Sequence, residues 1–212
     1  MLITYGKTRI KEEFTEDQII IKLAAFRESL DESINTYYEK IKAFALLYDL
    51  RGDAEPCTFF RSFSGSDLIH DVFSEGASLC EFRDRLEIEI EERVHKLLPN
   101  TASIIGDKLA MELLVRSKSF KRLVSYPSSS IQLLGAEKAL FLHIEKGKKS
   151  PKYGVLFKYP GLASLRPSTR GKMARMIANK VSIAIRADYF SLTIDTEKIK
   201  SMIDNEISIR KK

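Results

Sequence analysis

Residues 15–48 read TEDQIIIKLAAFRESLDESINTYYEKIKAFALLY, and the fold turns on them. Ile19, Leu23, Phe26, Leu30, Ile34, Tyr37, Ile41, Phe44 and Tyr48 follow one another at steps of three and four residues. Only an α-helix brings such positions to one face, and a stripe this narrow is the seam of a coiled coil. Thr15, with Gln18 three residues on, has the form of a capping box and marks the start. At 1.5 Å per residue the helix would be on the order of 50 Å long.

Its partner follows in the chain. A second seam starts at Ser66 or Asp67 and stops before Pro99, running through Leu68, Val72, Leu79, Phe82, Leu86, Ile90, Val94 and Leu97, and is weakened at Gly76. Between the two, Gly52, Pro56 and Gly65 suit a turn-rich connection, with Phe59, Phe60 and Phe63 covering the tip. Two long helices so joined should lie antiparallel. Such seams could serve only to bury each other, yet two helices alone leave Tyr38, Leu47 and the tip phenylalanines poorly covered. Exposed apolar surface marks contact sites, so the hairpin is expected to self-associate or receive a partner.

Charge divides the chain. Residues 1–100 carry 13 Lys and Arg against 20 Asp and Glu, whereas residues 101–212 carry 22 against 9. An acidic half followed by a basic half, with cations gathered on few elements, is the footprint of a polyphosphate partner for the second half alone. A content of 44% apolar and 30% charged residues describes a folded protein. No apolar run reaches the ~18 residues that would span a bilayer, and Met1 to Lys7 lack a signal-peptide stretch, so an intracellular protein without a membrane partner is expected. Cys57 and Cys80 have neither metal-ligand nor redox-pair spacing and read as reduced packing residues. His70, His95 and His143 stand apart from any nucleophile or ligand set, and no glycine-rich phosphate loop follows a strand. The chain is therefore read as not an enzyme, with no catalytic residue, metal or cofactor.

After Asn100 the pattern changes to short amphipathic pieces, Ala102 to Ser117, Phe120 to Tyr126 and Ile131 to Ile144. Residues 146–152 form a basic loop, and Tyr153 to Tyr159 is the one short stretch with strand character. Ser168 or Thr169 can cap a helix running to about Tyr189. On it Lys172, Arg175, Asn179, Ser182 and Arg186 form one polar stripe, opposite the apolar Met173, Ile177, Val181 and Ala184. A solvated face normally mixes signs, and this one has cations without an acid, which favours an anion-binding surface.

Three runs now carry a resemblance: Tyr126 through Gly135-Ala136-Glu137-Lys138-Ala139-Leu140-Phe141, the turn Pro151-Lys152-Tyr153-Gly154, and Arg170-Gly171-Lys172 through Ala187-Asp188-Tyr189-Phe190. In this order they resemble the Nop domain of archaeal and eukaryotic box C/D ribonucleoprotein core proteins, shared more distantly with a spliceosomal factor. The resemblance is strongest over residues 99–191, and the preceding hairpin is similar to the family's coiled-coil arm. It implies an all-α fold, a long antiparallel coiled-coil hairpin followed by a compact helical Nop domain. The division is then a short N-terminal segment (1–14), the arm (15–99), the Nop domain (100–191), and a C-terminal helix and basic tail (192–212).

The function implied is that of a non-catalytic scaffold for RNA 2′-O-methylation. Its partners would be a kink-turn, box C/D-like RNA, the small ribosomal-protein-like factor bound to it, and a second copy through the coiled coil. A fibrillarin-type methyltransferase is held in the family by an N-terminal domain that has no counterpart in residues 1–14. On matching positions Gln132, Glu137 and Lys138 fall in the family's hallmark helix, facing the RNA and its bound protein. Lys152 and Tyr153 sit where members reach the RNA. Arg170, Lys172, Arg175, Asn179, Lys180 and Arg186 supply the anion-binding face, Asp188 is expected to pair with a neighbouring Arg, and Gly135 and Gly154 are backbone necessities. The compartment would be the cytoplasm of an archaeal-like cell, or the nucleolus of a eukaryotic one. Competing readings are a coiled-coil interaction protein and a spliceosomal-factor-like protein without a methylation role.

Overall fold

The computed structural model describes residues 14–45, 55–62 and 68–211. The expectations placed on Leu47, Tyr48, Gly52, Phe63, Gly65 and the start at Ser66 or Asp67 lie outside the described residues, as do those for the side chains of Phe44 and Leu68. The fold is all-α. Its helices are α1 Glu16–Ala45, α2 Pro56–Arg61, α3 Leu68–Leu97, α4 Pro99–Ile105, α5 Asp107–Ser117, α6 Phe120–Ser125, α7 Ser128–Leu133, α8 Glu137–Lys146, α9 Pro167–Tyr189 and α10 Thr196–Lys211. The described chain falls into two compact units, one of residues 22–90 and one joining the residues before Lys22 to those from Glu91 onward.

In the first unit α1 and α3 run antiparallel. The Tyr37 hydroxyl donates to the Val72 carbonyl at 3.0 Å, while Asp31 meets Arg83 at 3.4 Å and Arg27 meets Glu87 at 3.9 Å, so earlier residues of one helix face later ones of the other. Both seams are displaced by one residue over part of their length. Ala24 and Tyr38 are buried where Leu23 and Tyr37 were expected, and Phe26 is 49% exposed. On α3 the buried positions are Phe73, Gly76 and Cys80 rather than Val72, Leu79 and Phe82. Ile19-Ile20-Ile21 offers two overlapping three-four registers. The structure takes the one that puts Arg27 beside the seam, where its charge meets Asp31 at 2.9 Å.

What selects that register is α2. Glu55 accepts from the Thr58 amide at 3.1 Å, capping the helix, and Pro56 opens it. Phe59 and Phe60 turn inward against Tyr38 and Phe73, with ring centroids 5.0 Å apart for Tyr38–Phe59 and 4.9 Å for Phe59–Phe73. Tyr38 and these two tip phenylalanines are thus buried within the unit, which corrects the expectation that they lie uncovered. Gly76 leaves the space: a Cβ there would lie 2.5 Å from Phe60 Cδ1. Cys57 and Cys80 are joined in a disulfide, correcting the reading of two reduced thiols, because α2 folds onto α3 with their Cα atoms 5.8 Å apart.

The second unit is a helical cluster in which α9 is the central rod. Met173, Ala174, Ile177, Ala178, Val181 and Ala184 are buried on it, and α4, α6, α7 and α10 pack around them. Two expected pieces are split. Gly106, at φ +84, separates α4 from α5, and Gly135, at φ +90, ends the segment between α7 and α8; both angles favour glycine. Residues Val155–Lys158 form a 3₁₀ turn instead of the expected strand, since this short apolar run lacks a partner strand and folds onto α5, α7 and α9. Pro167 occupies the first position of α9, with Arg166 at the N-cap rather than Ser168 or Thr169. The Thr15 hydroxyl bonds Asp17, and the Gln18 amide reaches the Lys118 carbonyl at 2.9 Å, so the anticipated capping box is not made. None of the described helices is long and apolar enough to cross a membrane.

Candidate nucleic-acid interface

Two backbone hydrogen bonds bring the basic loop to the end of α7. The Gly154 amide donates to the Gln132 carbonyl and the Val155 amide to the Leu134 carbonyl, both at 2.8 Å. Gln132 is buried, and its side-chain amide donates to the Lys152 carbonyl at 2.6 Å and more weakly to Gly171 at 3.4 Å. Loop, α7 and the start of α9 are therefore tied through one amide. Gln132 positions the neighbouring cations and keeps its amide inside the fold.

The result is a cleft of about 530 Å³ lined by Lys152, Lys172 and Arg175, with Ser129, Ser150 and Ser168 among them. No carboxylate lines it. The three cations are exposed, and among the described residues none makes an ion pair. Close cations that remain unneutralised raise the local potential, and hydroxyls add donors for an oxyanion. The arrangement can hold phosphate oxygens.

The other residues of the expected face are differently placed. Asn179 is exposed further along α9, and Lys180 is half-buried at its edge. Arg170 is turned back: its guanidinium donates to the Leu165 and Ala163 carbonyls, each at 2.7 Å, and lies 5.7 Å over the Phe157 ring. Tyr153 stacks on the same Phe157 at 4.7 Å. Arg186 donates to the Tyr126 carbonyl at 3.3 Å and to the Ser182 hydroxyl, and Ser182 is buried beneath it, which takes that serine out of the polar stripe. Arg170 thus braces the loop before α9 and Arg186 the end of α6.

On α8, Lys138 is exposed, while Glu137 accepts from the Gly135 amide at 2.7 Å, holding the turn that precedes its own helix. Neither residue enters the cleft. Asp188 is buried, and its carboxylate accepts from the Asn100 amide and side chain at 2.8 Å each and from the Thr101 amide and hydroxyl at 3.0 and 2.6 Å. Its partners are the first turn of α4, which corrects the expected Arg pairing. A carboxylate there suits the orphan amides of a helix start. The sequence reading missed Arg116, Lys118 and Arg122, which converge beside Tyr126 around a second concavity adjoining the cleft at Ser129 and Leu133. Their scatter over two helices and a linker hid them.

Comparison with known proteins completes the picture. The Nop family model, described as snoRNA binding domain, fibrillarin, matches residues 63–209. Nucleolar protein 56 of Bos taurus is 30% identical over 85% of this chain and 30% of its own length. An uncharacterized NOP5 family protein of Methanocaldococcus jannaschii is 34% identical over 69% of this chain and 35% of its own. The chain thus spans about a third of the length of these curated relatives. A solved structure described as a fibrillarin/Nop5p complex superposes with a TM-score of 0.67 at 32% identity, covering 99% of this chain and 75% of that one.

Proposed function

Given that this chain belongs to the Nop family, we propose that it is a non-catalytic RNA-binding scaffold of a box C/D-like guide ribonucleoprotein for RNA 2′-O-methylation. It takes as its ligand a kink-turn RNA already held by a small ribosomal-protein-like factor. The observation that carries this reading is the cleft of Lys152, Lys172 and Arg175, whose charged side chains are all cations and which is tied to α7 by Gln132. Phosphate contacts there fix position and supply affinity, and discrimination comes from the shape of the folded RNA with its bound protein. Lys138 and Glu137 on α8 face the protein side of that composite surface, with Asn179 and Lys180 extending the phosphate track along α9.

The helical hairpin serves as the dimerisation element, with Phe26, Phe82 and Ile88, all exposed, as its apolar contacts. A fibrillarin-type methyltransferase is the third partner to test. Such a particle belongs in the cytoplasm of an archaeal cell or the nucleolus of a eukaryotic one. A pull-down on immobilised kink-turn RNA, adding the small binder, this chain and fibrillarin in turn, checks the order. Retention of the chain only after the small binder is present supports the reading; equal retention on bare RNA and on an unrelated hairpin refutes it.

A further inference from the structure

A second concavity adjoins the cleft along α7, sharing Ser129 and Leu133 with it, and its chemistry is different. It has a volume of about 710 Å³ and is bounded by α5, α6, α7 and α8. Val115, Leu133, Leu134 and Leu140 give it an aliphatic floor. At its rim stand Arg116 and Lys118 from the end of α5, and Arg122 from α6, whose guanidinium lies 6.0 Å over the Tyr126 ring. Among the described residues no ion pair neutralises any of the three. The apolar surface does not end at the groove. On α8, next to and one turn beyond Leu140, Phe141 is 58% and Ile144 74% exposed, and no residue of that helix is buried.

We propose that this groove is a docking site for an amphipathic segment of a partner protein, with aliphatic or aromatic anchors seated on the leucines and acidic residues meeting the three rim cations. Charge complementarity selects the occupant. A phosphodiester laid on the floor would exchange water for leucine side chains, which costs the full desolvation of its charge. A protein segment places its apolar side chains on the floor and its carboxylates at the rim, the helix-in-groove mode of peptide recognition. Binding here does not depend on the RNA reading, because none of the cleft cations Lys152, Lys172 and Arg175 lines the groove.

The test uses the full chain and a fluorescein-labelled synthetic helical peptide with leucines on one face flanked by glutamates, read by fluorescence anisotropy. Two control peptides replace its leucines by serine or its glutamates by lysine. The parent peptide should bind and both controls should lose at least roughly tenfold in affinity, the worth of one well-buried leucine. Arg116→Glu with Arg122→Glu should weaken the parent peptide, and so should Leu140→Ser. Lys172→Ala with Arg175→Ala should leave it unchanged. Absence of parent-peptide binding, or equal binding of the lysine control, overturns the proposal. So does oligouridylate binding that is lost in the Arg116→Glu, Arg122→Glu variant while the acidic peptide fails to bind, which would assign the groove to RNA.

Discussion

A Cβ added to Gly154 would lie 1.9 Å from the carbonyl oxygen of Leu134. The clash is with backbone rather than with a movable side chain, and it falls where the Gly154 and Val155 amides bind α7 and its C-cap. Gly154→Ala is therefore expected to cost at least about 1–3 kcal/mol, the range for forced overpacking. Urea unfolding checks the cost. Because the same pairing sets the basic loop, RNA affinity should fall in the variant even at temperatures where it remains folded.

Asp188 concentrates four hydrogen bonds from Asn100 and Thr101 on one buried carboxylate. Hydrogen bonds to a charged group contribute about 1.5–3 kcal/mol each when a partner is lost, without simple additivity. Asp188→Ala should destabilise the second unit by several times the effect of an exposed-residue change such as Glu145→Ala. Equal denaturation midpoints for the two variants would show that α4 does not rely on this carboxylate.

The disulfide closes a loop of 23 residues' separation over α2. Chain-entropy arguments give such a loop about 3 kcal/mol of stability. Denaturation in dithiothreitol should shift to lower urea by the corresponding amount, and Cys57→Ser with Cys80→Ser should unfold at the reduced midpoint with or without reductant. Insensitivity of the parent chain to reductant would contradict the pairing.

The sequence carried the helical class and the two long helices, because three-four spacing over thirty residues has no other regular solution. It did not carry the register, since Ile19-Ile20-Ile21 supports two, and the choice is made by Phe59, Phe60 and Cys57, which are distant in the chain. The stretch from Tyr153 to Tyr159 misled because so short a run, with only Val155, Leu156 and Phe157 consecutive and aliphatic or aromatic before Lys158, has too few periods to separate strand from 3₁₀ turn. Within the candidate site, Lys172 and Arg175 were legible from spacing on one long helix. Arg186 shared that spacing and Arg170 was named from the family resemblance, but carbonyls at Ala163, Leu165 and Tyr126 engage them, and neither argument contains such partners.

Acid should find Asp17. Burial raises its pKa, but the Thr15 hydroxyl, the Phe120 amide and the Gln18 amide and side chain outweigh that and hold it below its ordinary 3.8. A carboxyl with a depressed folded-state pKa contributes stability that is present above its unfolded value and lost as pH falls through the folded one. Asp17→Asn should therefore lower stability near neutrality and flatten the loss seen in urea midpoints from about pH 5 downward. A variant whose acid limb parallels that of the parent would show that the carboxylate is not the titrating group.

Salt separates a phosphate cleft from a solvated face. With the guanidinium groups of Arg170 and Arg186 engaged by neighbouring carbonyls, Lys152, Lys172, Arg175 and Lys180 are the cations taken to meet phosphates. Four neutralised phosphates give a slope of log affinity against log salt of about −3 for the RNA–protein ligand. Lys172→Ala with Arg175→Ala should roughly halve that slope and weaken binding most at low salt, because two released counterions are lost along with two contacts. The Lys138→Ala variant should weaken the ternary complex with a smaller change in slope, since Lys138 lies outside the cleft. Titrations between about 50 and 200 mM salt measure both quantities. An unchanged slope in the double variant would place the phosphates on another surface.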